Sequence, residues 1–408
     1  LPHEHLFMNI LQLCKKSPYP ANDGESIAIL QISKGLVDQG HHVYVLAMNT
    51  PKHYCPAEAY PDDLKSIISF YLVDHDTSIK MYKAFLNLLS LKPYHIVRFD
   101  SNKYREKLIE ILKEKQFDII QAEGIHLAIY LQTIRKYSRA KIVLRSHNVE
   151  HIIWQRIAVN TQNPLKKIYL KIQTKRLKRF ELQAINQFDG IASISPTDSS
   201  YFQSNGCSRP LANILPGLNI KDYPLNIIRQ AVEDCCIFGA LDWIPNQEGL
   251  SWFVHHVWPL LRKQEKQVKL LIAGRNAPEW IKEFNGNGIQ FLGEIDQASS
   301  FYSDHALFLI PLLSGSGIKI KIIEALAYGK TVIATSLALE GTGLEAGVHV
   351  LQADDKQSFA DAISICLHQN ELRIKLAEAG SKFVRDEYSI QKIMQQLNHF
   401  YKSLLNAV

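Results

Sequence analysis

The chain has 408 residues, 46% of them apolar and 21% charged, more than one hydrophobic core usually supports, so two domains of an ordinary soluble globular protein are expected. No apolar stretch reaches the roughly 18 residues of a membrane span, and six cysteines without CxxC or finger spacing point to reduced thiols and the cytoplasm. Residues 1–220 carry 28 Lys and Arg against 19 Asp and Glu, residues 221–408 carry 18 against 21, and the basic first half suggests an anionic partner, either a phosphorylated ligand or a lipid surface.

In chain order, the opening residues, with His3, Glu4 and His5 ahead of Met8, do not read as a signal peptide. "MNILQLC" (8–14) is a strand, a Pro/Gly/Asp loop follows, and an amphipathic helix runs from Ser26 to Gln39 until Gly40 stops it. Strands follow at 41–48, 118–123, 141–146 and 190–195, with helices near 103–116 and 126–137. The second half repeats this grammar. Strands fall at 235–240, 268–274, 289–293, 305–313 and 331–336, a helix begins at Asn246 with "NQEGLSWFVHHVWPLL", and a last helix covers roughly 389–405. Strands alternating with helices predict parallel, doubly wound sheets. The expected architecture is two Rossmann-like α/β domains facing across a cleft. Their boundaries are 1–215 and 216–388, joined at the Pro- and Gly-rich stretch 215–226, with 389–408 packing back on the first domain.

The stretch with most chemistry is "PLLSGSGIKIKIIEALAYGK" (311–330). Residues 314–317, with Gly315, Ser316 and Gly317, follow a buried-looking strand and begin a helix, the place where such sheets bind ligands. Glycines there let backbone N–H groups approach an anion, and a helix N-terminus favours phosphate. Lys321 reaches toward the same anion. Glu324, three residues on, shares its face and suits the paired hydroxyls of a ribose or hexose. By pattern alone, a packing turn with solvated lysines is an equal reading. Gly329, Lys330 and Thr331 do not make a P-loop, because Glu324 stands where its first glycine belongs and GKT ends a helix.

With "EGTG" at 340–343, this segment resembles the donor-site signature of the family 4 (group 1) glycosyltransferases, and of a bacterial subgroup with GSGxxxK in the loop. "SPYPANDGESIAILQISKGLVDQGHHVYVL", "RSHNVE" (145–150), "SISPTDSSYF" (193–202), "FGALDWIPNQEGLSWFVHHVWP" (238–259) and "LLIAGRNAPEW" (270–280) follow in that family's order. The resemblance implies GT-B architecture and metal-independent, retaining transfer of a sugar from a nucleotide-sugar donor to a glycan or lipid-linked acceptor in cell-surface polysaccharide or glycolipid assembly. It implies that Glu324 holds the ribose, that Gly315, Ser316 and Gly317 lie by the diphosphate and sugar, and that Gly239 is the turn after the first donor-domain strand. Gly24 then faces the donor phosphates, and His147 is the histidine near the transferred sugar. Two features depart from the pattern. The first glutamate of the family's pair is replaced in the region of Gly315 and Ser316, and "GALDWIPNQEG" lacks the usual basic clamp, which leaves Lys321 as the substitute.

On that reading, Lys321 and the N–H groups of 315–317 stabilise the departing diphosphate, His147 positions the donor sugar, and Asn246 is either a helix-start residue or a contact to the donor phosphates. Other functions remain open: a nucleotide-sugar epimerase or hydrolase, or a silent nucleotide-sugar-binding subunit. "HNVEH" (147–151) also fits an inverted zinc-peptidase motif, and His147 equally suits a cap of the following helix. The basic segment 166–183, with seven basic residues and one acid, carries a stripe of Ile168, Ile172, Leu177 and Phe180. It reads first as a solvated helix with that stripe on the core and second as a peripheral contact with an anionic membrane. Nucleic-acid binding is not expected, since no basic-aromatic interleaving is present.

Overall fold

The computed structural model describes residues 7–315 and 317–407. The chain divides into two compact units, Leu1–Gly217 with Ile390–Val408, and Leu218–Ser389. The first holds a seven-stranded sheet: β1 (Asn9–Cys14), β2 (His42–Asn49), β3 (Ile68–Asp74), β4 (Ile119–Glu123), β5 (Lys141–Ser146), β6 (Gly190–Ser193) and β7 (Leu211–Asn213). The second holds β8 (Asp234–Phe238), β9 (Lys269–Ala273), β10 (Ile289–Gly293), β11 (Leu307–Ile310), β12 (Thr331–Ala334) and β13 (Leu351–Gln352). Every pairing within these sheets is parallel. The central strands are nearly continuous apolar runs because helices cover both faces, leaving no solvated side to alternate with.

The strand orders, β3-β2-β1-β4-β5-β6-β7 and β10-β9-β8-β11-β12-β13, decide where ligands can bind. In each unit the chain winds outward to one edge, then returns beside its first strand and winds the other way. The reversal lies between β1 and β4 in the first unit and between β8 and β11 in the second. Loops leaving those strand ends diverge to opposite faces and open a crevice. The fold is thus two Rossmann-like α/β units of the GT-B type.

The strands that sequence patterning misses, β3, β7 and β13, are all edge strands. They are half-buried, or only three and two residues long, so they lack the dense apolar run of a central strand. The helix predicted from Asn246 is interrupted. Ile244–Trp252 gives way to a π turn over Phe253–Val257 before Trp258–Gln264. Pro259 has no N–H to give His255, and the turn widens so that Trp258 N donates to Phe253 O. The region 126–137 likewise divides into a 3-10 segment, Ile125–Tyr130, and an α-helix, Leu131–Tyr137. The helix Ile390–Asn406 packs into the first unit, where Ile393, Leu397 and Tyr401 share a core with Ile29, Ile32 and Leu36 of the helix Gly24–Asp38. Among the described residues no helix is long and apolar enough to cross a membrane.

Candidate functional site

In the second unit, β8 ends at Phe238 and Gly239 turns the chain with φ 148°. A side chain there would be strained, and its Cβ would stand 3.6 Å from Asn246 Nδ2 and 3.7 Å from Lys321 Cδ. Asn246, buried in the first turn of its helix, donates from Nδ2 to Ala240 O at 2.7 Å and accepts from Lys321 Nζ through Oδ1 at 2.7 Å. Lys321 is the second residue of the helix Ile320–Ala327. Among the described residues no carboxylate pairs with it. Burial, with the nearby charge of Lys319, lowers its pKa to about 7.

Glu324 lies one turn further along the same helix. It accepts from Tyr223 Oη at 3.2 Å, and burial raises its pKa to about 7. An ammonium without an anion and a carboxyl without a cation, three residues apart, are both held at a cost in the empty protein. Perturbed groups of this kind, at the mouth between β8 and β11, make this the candidate binding site.

The glycine loop bordering them is not itself the helix start. Gly315 and Gly317 have φ of 111° and 73°, and the helix opens only at Ile320. Ser316 lies outside the described residues. Ser314 Oγ hydrogen-bonds the Glu248 side chain, and Trp243 lies close against Gly315. Lys319 is buried and returns its Nζ to Gly317 O at 2.5 Å, so it braces the loop. Gly329 ends the helix with φ 76°, and Lys330 Nζ binds Asn226 O at 2.6 Å, a structural duty.

The loop after β11 is held by close backbone approach at Gly249, where a Cβ would lie 2.2 Å from Pro311 O. Gly249→Ala is therefore expected to destabilise the second unit by about 1–3 kcal/mol. A melting temperature equal to that of the parent would refute this account of the loop. Toward the N-terminal ends of the central strands β8 and β11, Asp234, Cys236 and His305 form a group whose ligand atoms lie within 4.8 Å of one another, with His305 Nδ1 2.9 Å from Asp234 Oδ2.

In the first unit, the crevice lies at the ends of β1, β4 and β5. Asp23 caps the helix Gly24–Asp38 by accepting from Ser26 N at 3.0 Å, and Gly24 is its exposed first residue. Lys16 pairs with Asp23 at 2.6 Å, and Lys15 with Glu25 at 3.2 Å. Against the burial that would raise it, these lysines hold the Glu25 carboxyl well below its ordinary range. His147, buried just past β5, bonds through Nε2 to Glu123 Oε2 at 2.8 Å. Glu123 is fully buried and also meets Arg145 Nε at 3.6 Å.

The second histidine of "HNVEH" is engaged elsewhere. His151 Nδ1 lies 2.6 Å from Glu181 Oε2, and its Nε2 lies 2.8 Å from Tyr201 Oη. The same Glu181 accepts from the N–H groups of Glu150 and His151, so it caps the helix Glu150–Asn160. The structure does not bring His147 and His151 together as metal ligands, and the helix cap is Glu181 instead of His147. The basic helix, Pro164–Ala184, also departs from expectation: Leu170, Gln173, Thr174, Leu177 and Glu181 form its buried face, while Ile168 and Ile172 are exposed.

Glu123, Tyr223 and Glu181, which hydrogen-bond His147, Glu324 and His151, are residues that sequence patterning does not single out. For Glu123 the available signal was an acid inside an otherwise buried-looking strand, and for Glu181 the one acid of a basic helix.

Comparison with known proteins gives two consecutive matches. The family described as Glycosyltransferase Family 4 matches residues 23–221, and the family described as Glycosyl transferases group 1 matches residues 233–369. An uncharacterized 44.6 kDa protein in the cps region of Klebsiella pneumoniae is 26% identical over 410 residues, 95% of this chain and 98% of its own. The phosphatidyl-myo-inositol mannosyltransferase of Mycobacterium leprae is 29% identical over 147 residues, 34% of this chain and 39% of its own. Anabaena HepE in complex with UDP has the same fold, with a TM-score of 0.66 at 16% identity over 97% of this chain and 100% of its own. It is also known in complex with UDP-glucose.

Proposed function

We propose that this chain, a nucleotide-sugar-dependent glycosyltransferase of the GT-B fold matching the family 4 and group 1 glycosyltransferases, transfers its sugar with retention to a glycan or lipid-linked acceptor. The observation that carries the proposal is the Lys321 ammonium, 2.7 Å from a neutral amide and beside the Gly239 turn, with Glu324 one turn away. In this reading the donor diphosphate lies against Gly239, the 315–317 loop and Lys321, and the ribose hydroxyls donate to Glu324. Asn246 aims the lysine. As the sugar departs, charge grows on the diphosphate, and a donor already aimed at it stabilises the transition state more than the ground state. The leaving phosphate takes the acceptor's proton, so no separate protein base is required, and no metal. His147, steadied by Glu123, positions the transferred sugar. The mannosyltransferase relatives, named for a lipid substrate, support a lipid-linked acceptor. The basic helix 164–184 supports a peripheral contact with an anionic membrane.

A thermal-shift panel of UDP, GDP, ADP and dTDP in EDTA tests the donor site. One nucleotide, with UDP the first candidate, is expected to raise the melting temperature by an amount that grows with the logarithm of its affinity. Lys321→Ala and Glu324→Ala are each expected to diminish that shift. Equal shifts in parent and variants would remove the site from this helix, and a shift seen with added magnesium but absent in EDTA would refute metal independence.

A further inference from the structure

We propose that the segment Ile79–Leu91 of the first unit inserts into an anionic lipid surface, with the basic helix 164–184 lying along the headgroups beside it. The proposal rests on reading that helix as a membrane contact, and it adds the element that enters the apolar layer.

The short helix Met81–Leu86 and the 3-10 turn Asn87–Leu89 turn their large apolar side chains outward. Met81 is 80% exposed, Phe85 73%, Leu89 91% and Leu91 86%, with Tyr82 and Leu86 close behind. Scattered exposed apolar residues are ordinary, but six within eleven positions form a patch that calls for a partner. The segment is held in this attitude by its backbone. Arg176 of the basic helix donates to Asn87 O at 2.9 Å and Leu88 O at 2.8 Å, and Gln173 Nε2 donates to Asn87 Oδ1 at 3.1 Å. Only Ala84 and Asn87 of these two short elements are buried. On the basic helix itself, Leu165, Ile168 and Ile172 are also exposed.

Charge identifies the partner. Residues 77–99 contain four basic residues and no acid, and residues 151–180 contain eight and none. Lys83, Lys92, Lys166 and Lys171 are exposed around the patch. An apolar face rimmed by exposed lysines, with Lys80 alone of the segment's described basic residues shown paired, to Asp76 at 2.9 Å, is the pattern of an interfacial segment on anionic lipid. The hollow lined by Lys15, Lys16, Lys52 and Arg98, with Glu25 the acid among them, reaches Ile79. A cationic hollow opening next to an inserted segment suits an acceptor with an anionic headgroup and a lipid tail.

The test is flotation of the full chain with phosphatidylcholine vesicles and with vesicles also containing phosphatidylglycerol, at low and high salt. The parent is expected to bind the anionic vesicles, more strongly at low salt. Phe85→Asp with Leu89→Asp is expected to weaken binding by roughly tenfold or more, with an unchanged melting temperature because both side chains are exposed; Phe85→Ala with Leu89→Ala should weaken it less. Lys166→Glu with Lys171→Glu should weaken it at low salt. If the Asp pair binds like the parent while the Glu pair does not, the inserted segment is refuted and the helix contact survives. A parent that binds no vesicle refutes both. A parent dimer split by the Asp pair would make the face an interface between copies and overturn the inference.

Discussion

Lys321→Ala is expected to lower kcat/KM for sugar transfer by about 100-fold or more, the usual effect of removing a donor that faces developing charge. The loss should appear in kcat as well as KM, because the diphosphate gains charge between the ground state and the transition state. Stability should move the other way or stay level. A lysine whose pKa falls to about 7 on folding holds fewer protons folded than unfolded between that value and its ordinary range near 10.4. It therefore opposes folding below pH 7, and the penalty fades as pH rises through that window. Removing the ammonium is expected to leave the melting temperature at pH 6 unchanged or raised while activity collapses. A variant that loses activity only in proportion to lost folded protein would place Lys321 in the scaffold instead.

Affinity for the preferred nucleoside diphosphate, measured calorimetrically in EDTA, is expected to peak near pH 7. Lys321 and Glu324 both titrate at about 7 in the empty protein, and binding favours the charged form of each. A bound diphosphate raises the lysine's pKa. Below 7 the lysine is already protonated and adds no pH dependence; above 7 binding must take up a proton, and affinity falls by about tenfold per pH unit. Ribose hydroxyls donating to Glu324 lower its pKa, so below 7 binding must release a proton and affinity falls on that side too. The terminal phosphate of the nucleotide itself titrates near roughly pH 6, so the acid limb is read as the difference between the parent and Glu324→Gln. The alkaline limb should vanish in Lys321→Ala. A flat profile from pH 6 to 9 in the parent would refute the roles of both residues.

These two residues were legible because their relation is local. A strand, a glycine turn and a helix in succession put i and i+3 on one face whatever the rest of the chain does. Their chemistry was not legible. The pKa of Lys321 depends on burial that only the folded unit supplies, with the Asn246 amide, 75 residues away, as its hydrogen-bond partner, and that of Glu324 on burial and on Tyr223, 101 residues away. The exact reach of the glycine loop was misjudged because nothing in its spelling marks Lys319 as the brace that delays the helix to Ile320. In "HNVEH" the spacing is that of a metal pair, yet Glu181 and Glu123 draw the two histidines to separate partners.

By itself, then, the sequence determined the alternation of buried strands with helices, hence two parallel wound units, because apolar periodicity and Gly or Pro punctuation act over a few residues. Only the tertiary structure decided which strands close the edges, which face of the basic helix is buried, and which charged groups lie without a countercharge. Those outcomes depend on contacts between residues far apart in the chain, and the desolvation that tunes Lys321 and Glu324 exists only once those contacts have formed.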